Sequence, residues 1–205
     1  MAATTSVGVF INCPFDDQYQ PLFEAVVFCV AACGFLPRCT LEHSDAADVR
    51  IDNIYSLIGL CNHSIHDISR TEVEDQPYEL PRFNMPLELG IFLGAKRFGT
   101  RSSHKRCLIM DRAPYRYKRF ISDIGGQDIK AHSKSRPKAI RHVRDWLQAA
   151  PGKAAIPGGK RIWMKYLQFR RELPVIADEA QLESNQLTFI DYLQMVTTWL
   201  ERNRY

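Results

Sequence analysis

The sequence predicts an α/β protein, a parallel sheet of about five strands with helices on both faces, followed by a C-terminal helical extension. Three observations carry this. Short runs of strand-forming residues alternate with segments of helical spacing, the pattern of crossover connections between parallel strands. The first run, Ser6-Val-Gly-Val-Phe-Ile-Asn-Cys13, is almost continuously apolar, as a strand buried on both faces requires. Beyond Pro151 the alternation stops and only helical spacing continues. This divides the chain into an α/β domain over residues 1–150 and an extension over 151–205 that packs on the same domain.

Each element has its own signal. Pro14-Phe-Asp-Asp17 supplies turn chemistry, and Tyr19 to Cys33 has apolar residues at Leu22, Phe23, Val26, Val27 and Val30, a helical spacing closed by Gly34. Phe35 to Glu42 reads as a second strand. Asp45 to Asp48 is a polar loop leading into a helix over Val49 to Cys61, with Ile51, Ile54, Tyr55 and Ile58 on one face. His63-Ser-Ile-His-Asp-Ile-Ser69 is a weaker third strand, and the polar loop from Arg70 to Phe83 is long enough to suggest a function. Asn84 stands as cap and Pro86 in the first turn of a helix carrying Leu89, Ile91, Phe92 and Leu93. Arg106 to Asp111 is the fourth strand, Gln127 to His132 a fifth, and Pro137 to Ala149 a helix. The extension reads as helices over Lys160 to Arg171 and Leu187 to Asn203, where Trp163, Tyr166, Phe169, Tyr192 and Trp199 fall at core or interface spacings.

Composition narrows the function classes. With 205 residues, 45% of them hydrophobic, the chain buries a real core, which excludes disorder and collagen. Its longest apolar stretch, Ala25 to Cys33, is short of the ~20 residues that span a bilayer. Met1-Ala-Ala-Thr-Thr lacks the basic start of a signal peptide, so the expectation is a cytoplasmic protein with no membrane partner. The six cysteines lie in apolar segments without C-x-x-C or zinc-finger spacing, which favours buried thiols and no metal. No repeat at solenoid spacing and no low-complexity segment is present.

The net charge of +4 conceals a segregation. Residues 1–95 hold 4 basic and 13 acidic side chains, residues 96–172 hold 21 and 5, and residues 173–205 hold 2 and 5. The basic segment 96–172, with Tyr115, Tyr117 and Phe120 interleaved, suits an anionic ligand or partner, and equally a solvated basic face.

In an open parallel sheet, ligands bind beyond the carboxyl ends of the strands where the order reverses. That rule selects Asn12, Phe15, Asp16 and Asp17 after the first strand, Glu42 after the second, Asp67, Ser69 and Arg70 after the third, and Asn84 and Glu88 on the helix that follows. No G-x-G-x-x-G follows the first strand, and neither G-x-x-x-x-G-K-[ST] nor G-x-S-x-G occurs. Asn12 and Asp16 can bond a ribose or form the turn, Phe15 can stack on a ring or plug the core, and Asp67 can act on a ligand or cap its own turn. His66 faces away from Asp67 and reads as structural. Arg70 and Arg82 bracket the acidic loop, placed for a pyrophosphate or for surface pairing with its carboxylates. Cys13 reads as a buried thiol and no nucleophile.

Arg82-Phe-Asn-Met-Pro-Leu-Glu-Leu-Gly90, placed after the third strand, resembles the catalytic helix of the superfamily joining nucleoside 2-deoxyribosyltransferases and TIR domains. Val9-Phe-Ile-Asn-Cys-Pro-Phe-Asp16 and Ile65-His-Asp-Ile-Ser-Arg70 are similar to substrate-lining loops of prokaryotic TIR-like proteins. The resemblance spans roughly residues 6–132 and implies a flavodoxin-like or TIR-like fold with Glu88 as catalytic carboxylate. It implies an N-glycosidase that takes NAD as substrate, with no other cofactor, acting by self-association in bacterial antiphage defence or cell suicide. One carboxylate suffices for NAD, whose leaving nicotinamide is already a cationic pyridinium, whereas a neutral base needs an acid, for which Asp67 stands nearest. The alternatives are a nucleoside or nucleotide deoxyribosyltransferase or hydrolase, from whose pattern Asn84-Met85-Pro86 departs, and a non-catalytic nucleotide-sensing or assembly module.

Overall fold

The structure is a computed structural model that describes residues 7–71, 83–100, 104–151 and 155–203. Five strands form one parallel sheet: β1 (Gly8–Asn12), β2 (Leu36–Arg38), β3 (His63–Asp67), β4 (Arg106–Asp111) and β5 (Lys130–Ala131), in the order β2-β1-β3-β4-β5. Val9 pairs with His63 and with Pro37, and Ile65 with Leu108. This is the flavodoxin-like order, and it reverses between β1 and β3, so the carboxyl ends of those two strands flank the crevice of the fold.

Among the described residues six helices cover the sheet: α1 (Gln20–Ala32), α2 (Arg50–Leu60), α3 (Asn84–Phe98), α4 (Arg136–Gln148), α5 (Gly159–Glu179) and α6 (Phe189–Arg202). Alternation along β1 assigns the faces. Val9, Ile11 and Cys13 join the core beneath α1 and α4, while Phe10 packs with Ile54, Leu57 and Phe92 of α2 and α3. Helices α5 and α6 lie on α1 and α4 as a further layer. That layer explains why α1 is apolar all round: Val26, Phe28 and Val30 cannot all face the sheet, and the residues turned outward meet Tyr166, Phe169 and Trp199.

Four expectations need correction, the first being the fifth strand, which spans only Lys130–Ala131. The second strand stops at Arg38, because Glu42 turns back to accept from Cys39 N–H (2.8 Å) and Arg38 Nε (2.6 Å) within a 3-10 turn over Thr40–Glu42. Asn84 is the first helical residue of α3, preceded by Phe83, and makes no capping bond. Helix α5 runs past Arg171 to Glu179, through Pro174, because Leu173 and Ala177 still reach the core.

Candidate active site

The end of β1 is fixed by a buried hydrogen-bonded chain. Asn12 Nδ2 donates to His66 Nδ1 (2.8 Å) and to the Met85 carbonyl (3.0 Å), which ties β1 to β3 and to the first turn of α3. Because Nδ1 of His66 accepts, its proton sits on Nε2, which faces Ser64 Oγ at 2.6 Å. Burial pushes the His66 pKa down to about 3, so the ring is a neutral structural joint. The remaining Asn12 amide oxygen is buried and has no partner among the described residues.

Glu88 stands one turn beyond Met85 on the inward face of α3, 4% exposed. No hydrogen bond or ion pair to it exists among the described residues. Burial pushes its carboxyl up to about 7, with the Arg50 guanidinium at the start of α2 pulling the other way. Arg50 is steadied by Thr40 Oγ1, 3.3 Å from its Nη2. Cys13 lies within the fields of Asp67, Glu88 and Asp16; burial first, then these carboxylates, raise its thiol far above the ordinary value. Three carboxyl groups thus surround the end of β1, and the thiol among them is unreactive.

The three differ in what they can do. Asp67 is fully buried and saturated: Oδ2 accepts from Tyr19 Oη (2.7 Å) and lies 3.0 Å from His132 Nε2, and Oδ1 accepts from Ser69 N–H (2.9 Å). Burial raises its pKa, but these three partners outweigh burial and hold it below the usual carboxylate range. It caps its own turn and ties the end of β3 to Tyr19 at the start of α1 and to His132 just after β5. Asp16 Oδ1 accepts from Tyr19 N–H (3.0 Å) at the start of α1, while Oδ2 lies 3.4 Å from Arg70 Nη2. Arg70 also donates to Gln18 (2.7 Å), so it bridges the end of β3 to the β1–α1 loop. Of the three, Glu88 alone is buried without bonded partners among the described residues, the condition under which a carboxyl can titrate near neutrality and change state when a cation arrives.

Phe15 is half-buried and meets Phe23 edge to face at 5.3 Å, so its ring packs on the α1 core. Asn84 is exposed at the start of α3. Arg82 and the acidic residues between it and Arg70 lie outside the described residues. The structure therefore groups Asn12, Asp16, Asp67 and Glu88 around β1, with Arg70 at the rim.

Sequence reasoning missed Arg50, Tyr19 and His132. Arg50 carried a signal, since it is one of only 4 cations in residues 1–95 and opens a helix beside the crevice. Tyr19 and His132 carried none, because their link to Asp67 exists only through tertiary contact.

Part of the basic segment is structural. Arg116 spans Asp111 Oδ1 (2.8 Å), Thr71 Oγ1 (3.0 Å) and the Ile68 carbonyl (2.7 Å), and Lys105 is buried against the Ile58 carbonyl (2.5 Å). Among the described residues no group of three or more His, Cys, Asp or Glu is placed to hold a metal, and no helix is long and apolar enough to cross a membrane.

No protein-family model matches the chain, and no curated protein matches it. Among solved structures the chain is similar to a diflavin flavoprotein A3 from Nostoc sp., at 13% identity and a TM-score of 0.40, over 80% of this chain and 99% of that one.

Proposed function

We propose that the protein is a TIR-like N-glycosidase that cleaves the nicotinamide–ribose bond of NAD, with Glu88 as the catalytic carboxylate. The observation that carries this reading is Glu88 itself, a buried carboxyl without bonded partners among the described residues, beside the strand-order reversal and pushed up to about 7. As C1′–N breaks, the bonding pair goes to the pyridinium nitrogen and nicotinamide leaves neutral, while C1′ gains oxocarbenium character. An ionised Glu88 stabilises that charge in a site of low dielectric. Water then adds at C1′ and gives up a proton, yielding ADP-ribose; attack by a group of the same nucleotide gives a cyclised product instead. Asn12 Oδ1 and Asp16 are the acceptors offered to ribose hydroxyls, Asn84, exposed at the start of α3, is a further substrate contact, and Arg70 is the cation for a phosphate. Antiphage defence or cell suicide, with self-association as the switch, is the biological setting this reading implies.

A second reading has its own support. A carboxyl with a pKa of about 7 is half protonated at neutral pH, so Glu88 can also supply the acid a neutral base requires, as in a deoxyribosyltransferase. Asp67, committed to three partners, is not that acid.

Incubating concentrated wild type and Glu88→Gln with NAD, with and without crowding, and following nicotinamide by chromatography tests both. Release by wild type and at least about a hundredfold less by the variant is expected. The rate should rise with pH through about 7, since the working form is ionised. Base exchange between nucleosides that falls over the same range selects the second reading, and equal release by both proteins removes Glu88 from either.

A further inference from the structure

The sheet ends on a strand that covers only part of its neighbour. β5 has two residues and pairs with Met110 and Asp111, leaving Arg106 to Ile109 of β4 without a partner strand on that side among the described residues. On the other side Arg106 N–H bonds to the Asn62 carbonyl and Ile68 N–H to the Met110 carbonyl. The alternation of a parallel ladder then turns the N–H and C=O of Cys107 toward the open side. Cys107 is half-buried, the one cysteine that is not fully buried.

Along this edge runs a groove of about 1060 Å³, walled by Leu93, Lys96 and Arg97 of α3 and by Arg141 and Trp146 of α4. Its charges do not cancel. Asp128 is taken by Lys130 (2.6 Å) and Asp145 by Arg144 (3.1 Å), whereas Lys96, Arg97 and Arg141 make no ion pair among the described residues, leaving Asp123 alone against three cations.

We propose that this groove receives an extended acidic segment of another protein as an added strand on β4. An added strand lies about 4.8 Å from its neighbour and points successive side chains to opposite faces, here toward the α3 wall and the α4 wall. Its backbone meets Cys107, its acidic side chains meet Lys96, Arg97 and Arg141, and its apolar ones meet Leu93 and Trp146. A second copy of this chain fits poorly: two edges each recessed between helices cannot touch, and their cationic walls would oppose one another. The site lies on the outer edge of the sheet, away from the β1–β3 reversal, and does not depend on the activity proposed for Glu88.

The test uses a fluorescein-labelled peptide in which two acidic residues (Glu or Asp) alternate with two of Val or Thr, so that both faces of the added strand carry carboxylates and apolar groups, followed by anisotropy, with amide hydrogen exchange of Cys107 as a local readout. Saturable binding, protection of the Cys107 amide, and about tenfold weaker binding to Lys96→Glu and Arg141→Glu proteins of unchanged melting temperature are expected. Methylating alternate peptide nitrogens should weaken binding comparably, since only a paired backbone senses it. Binding indifferent to methylation overturns the proposal in favour of a plain charged surface. No saturation up to about 1 mM peptide overturns it outright. Tighter binding of an oligonucleotide with the same Lys96 and Arg141 dependence assigns the groove to nucleic acid, and a concentration-dependent dimer lost in Arg141→Glu assigns it to a second copy.

Discussion

Glu88 is expensive to hold where it is. Its ordinary pKa of 4.5 rises to about 7 on folding because burial disfavours the ionised form. Between those values the unfolded chain has lost the proton while the folded chain keeps it. The stability this group contributes is therefore full below pH 4.5 and is lost as pH rises through about 7. His66 works in the opposite sense: its pKa falls from 6.5 to about 3, so its contribution is full above pH 6.5 and drains away as pH falls. Glu88→Gln carries no such penalty. Its advantage in unfolding free energy over wild type should grow by up to about 3 kcal/mol between acid and mildly alkaline pH, read as a rising difference in denaturant midpoint. A pH-independent difference between the two proteins would mean that Glu88 is solvated and not poised for chemistry. At this scale the sequence made Asn12 and Glu88 visible through position on their elements. Their partners stayed hidden, because Asn12 meets His66 across 54 residues and Tyr19 meets Asp67 across 48.

Elements were legible where one local signal sufficed. β1, α2 and β4 fall within a residue or two of expectation, since a continuous apolar run or a clean helical face fixes them before any tertiary contact forms. β5 shrinks from Gln127–His132 to two residues because the chain peels away before Lys130, with Ile129 N–H bonded to the Gln127 carbonyl. α5 goes the other way. Pro174 has no N–H for the Arg170 carbonyl, and propensity argues for a stop there, yet burial of Leu173 and Ala177 carries the helix across. Local preference and tertiary packing are in conflict at one exposed residue. Pro174→Ala should restore the missing bond and raise stability by about 1–3 kcal/mol, read as a higher melting temperature with unchanged helix content. A lower melting temperature would mean that the backbone conformation Pro174 imposes is what seats Leu173 and Ala177.

The whole molecule depends on its last two helices. α1 is too apolar to be a surface helix, with Ala25, Val27, Phe28 and Val30 fully buried, and α5 and α6 cover the part of it turned away from the sheet. Phe28 sits among Tyr166, Phe169 and Trp199 at ring separations of 5.4 to 6.0 Å, and Tyr192 Oη and Arg170 both reach back to Glu24 on α1. Each such aromatic buries roughly 150–250 Å², so losing three removes several kcal/mol, a large share of what a domain of this size has. A chain ended at Gly158 keeps every strand and the neighbourhood of Glu88, but exposes a contiguous apolar face along α1. It should aggregate or unfold without a cooperative transition, while the intact chain melts as one unit in calorimetry and circular dichroism. Soluble, cooperative folding of the shortened chain would instead make α5 and α6 a separable layer. The same α/β sheet would then have to bury α1 by other means, of which pairing with a second molecule along that face is the most direct.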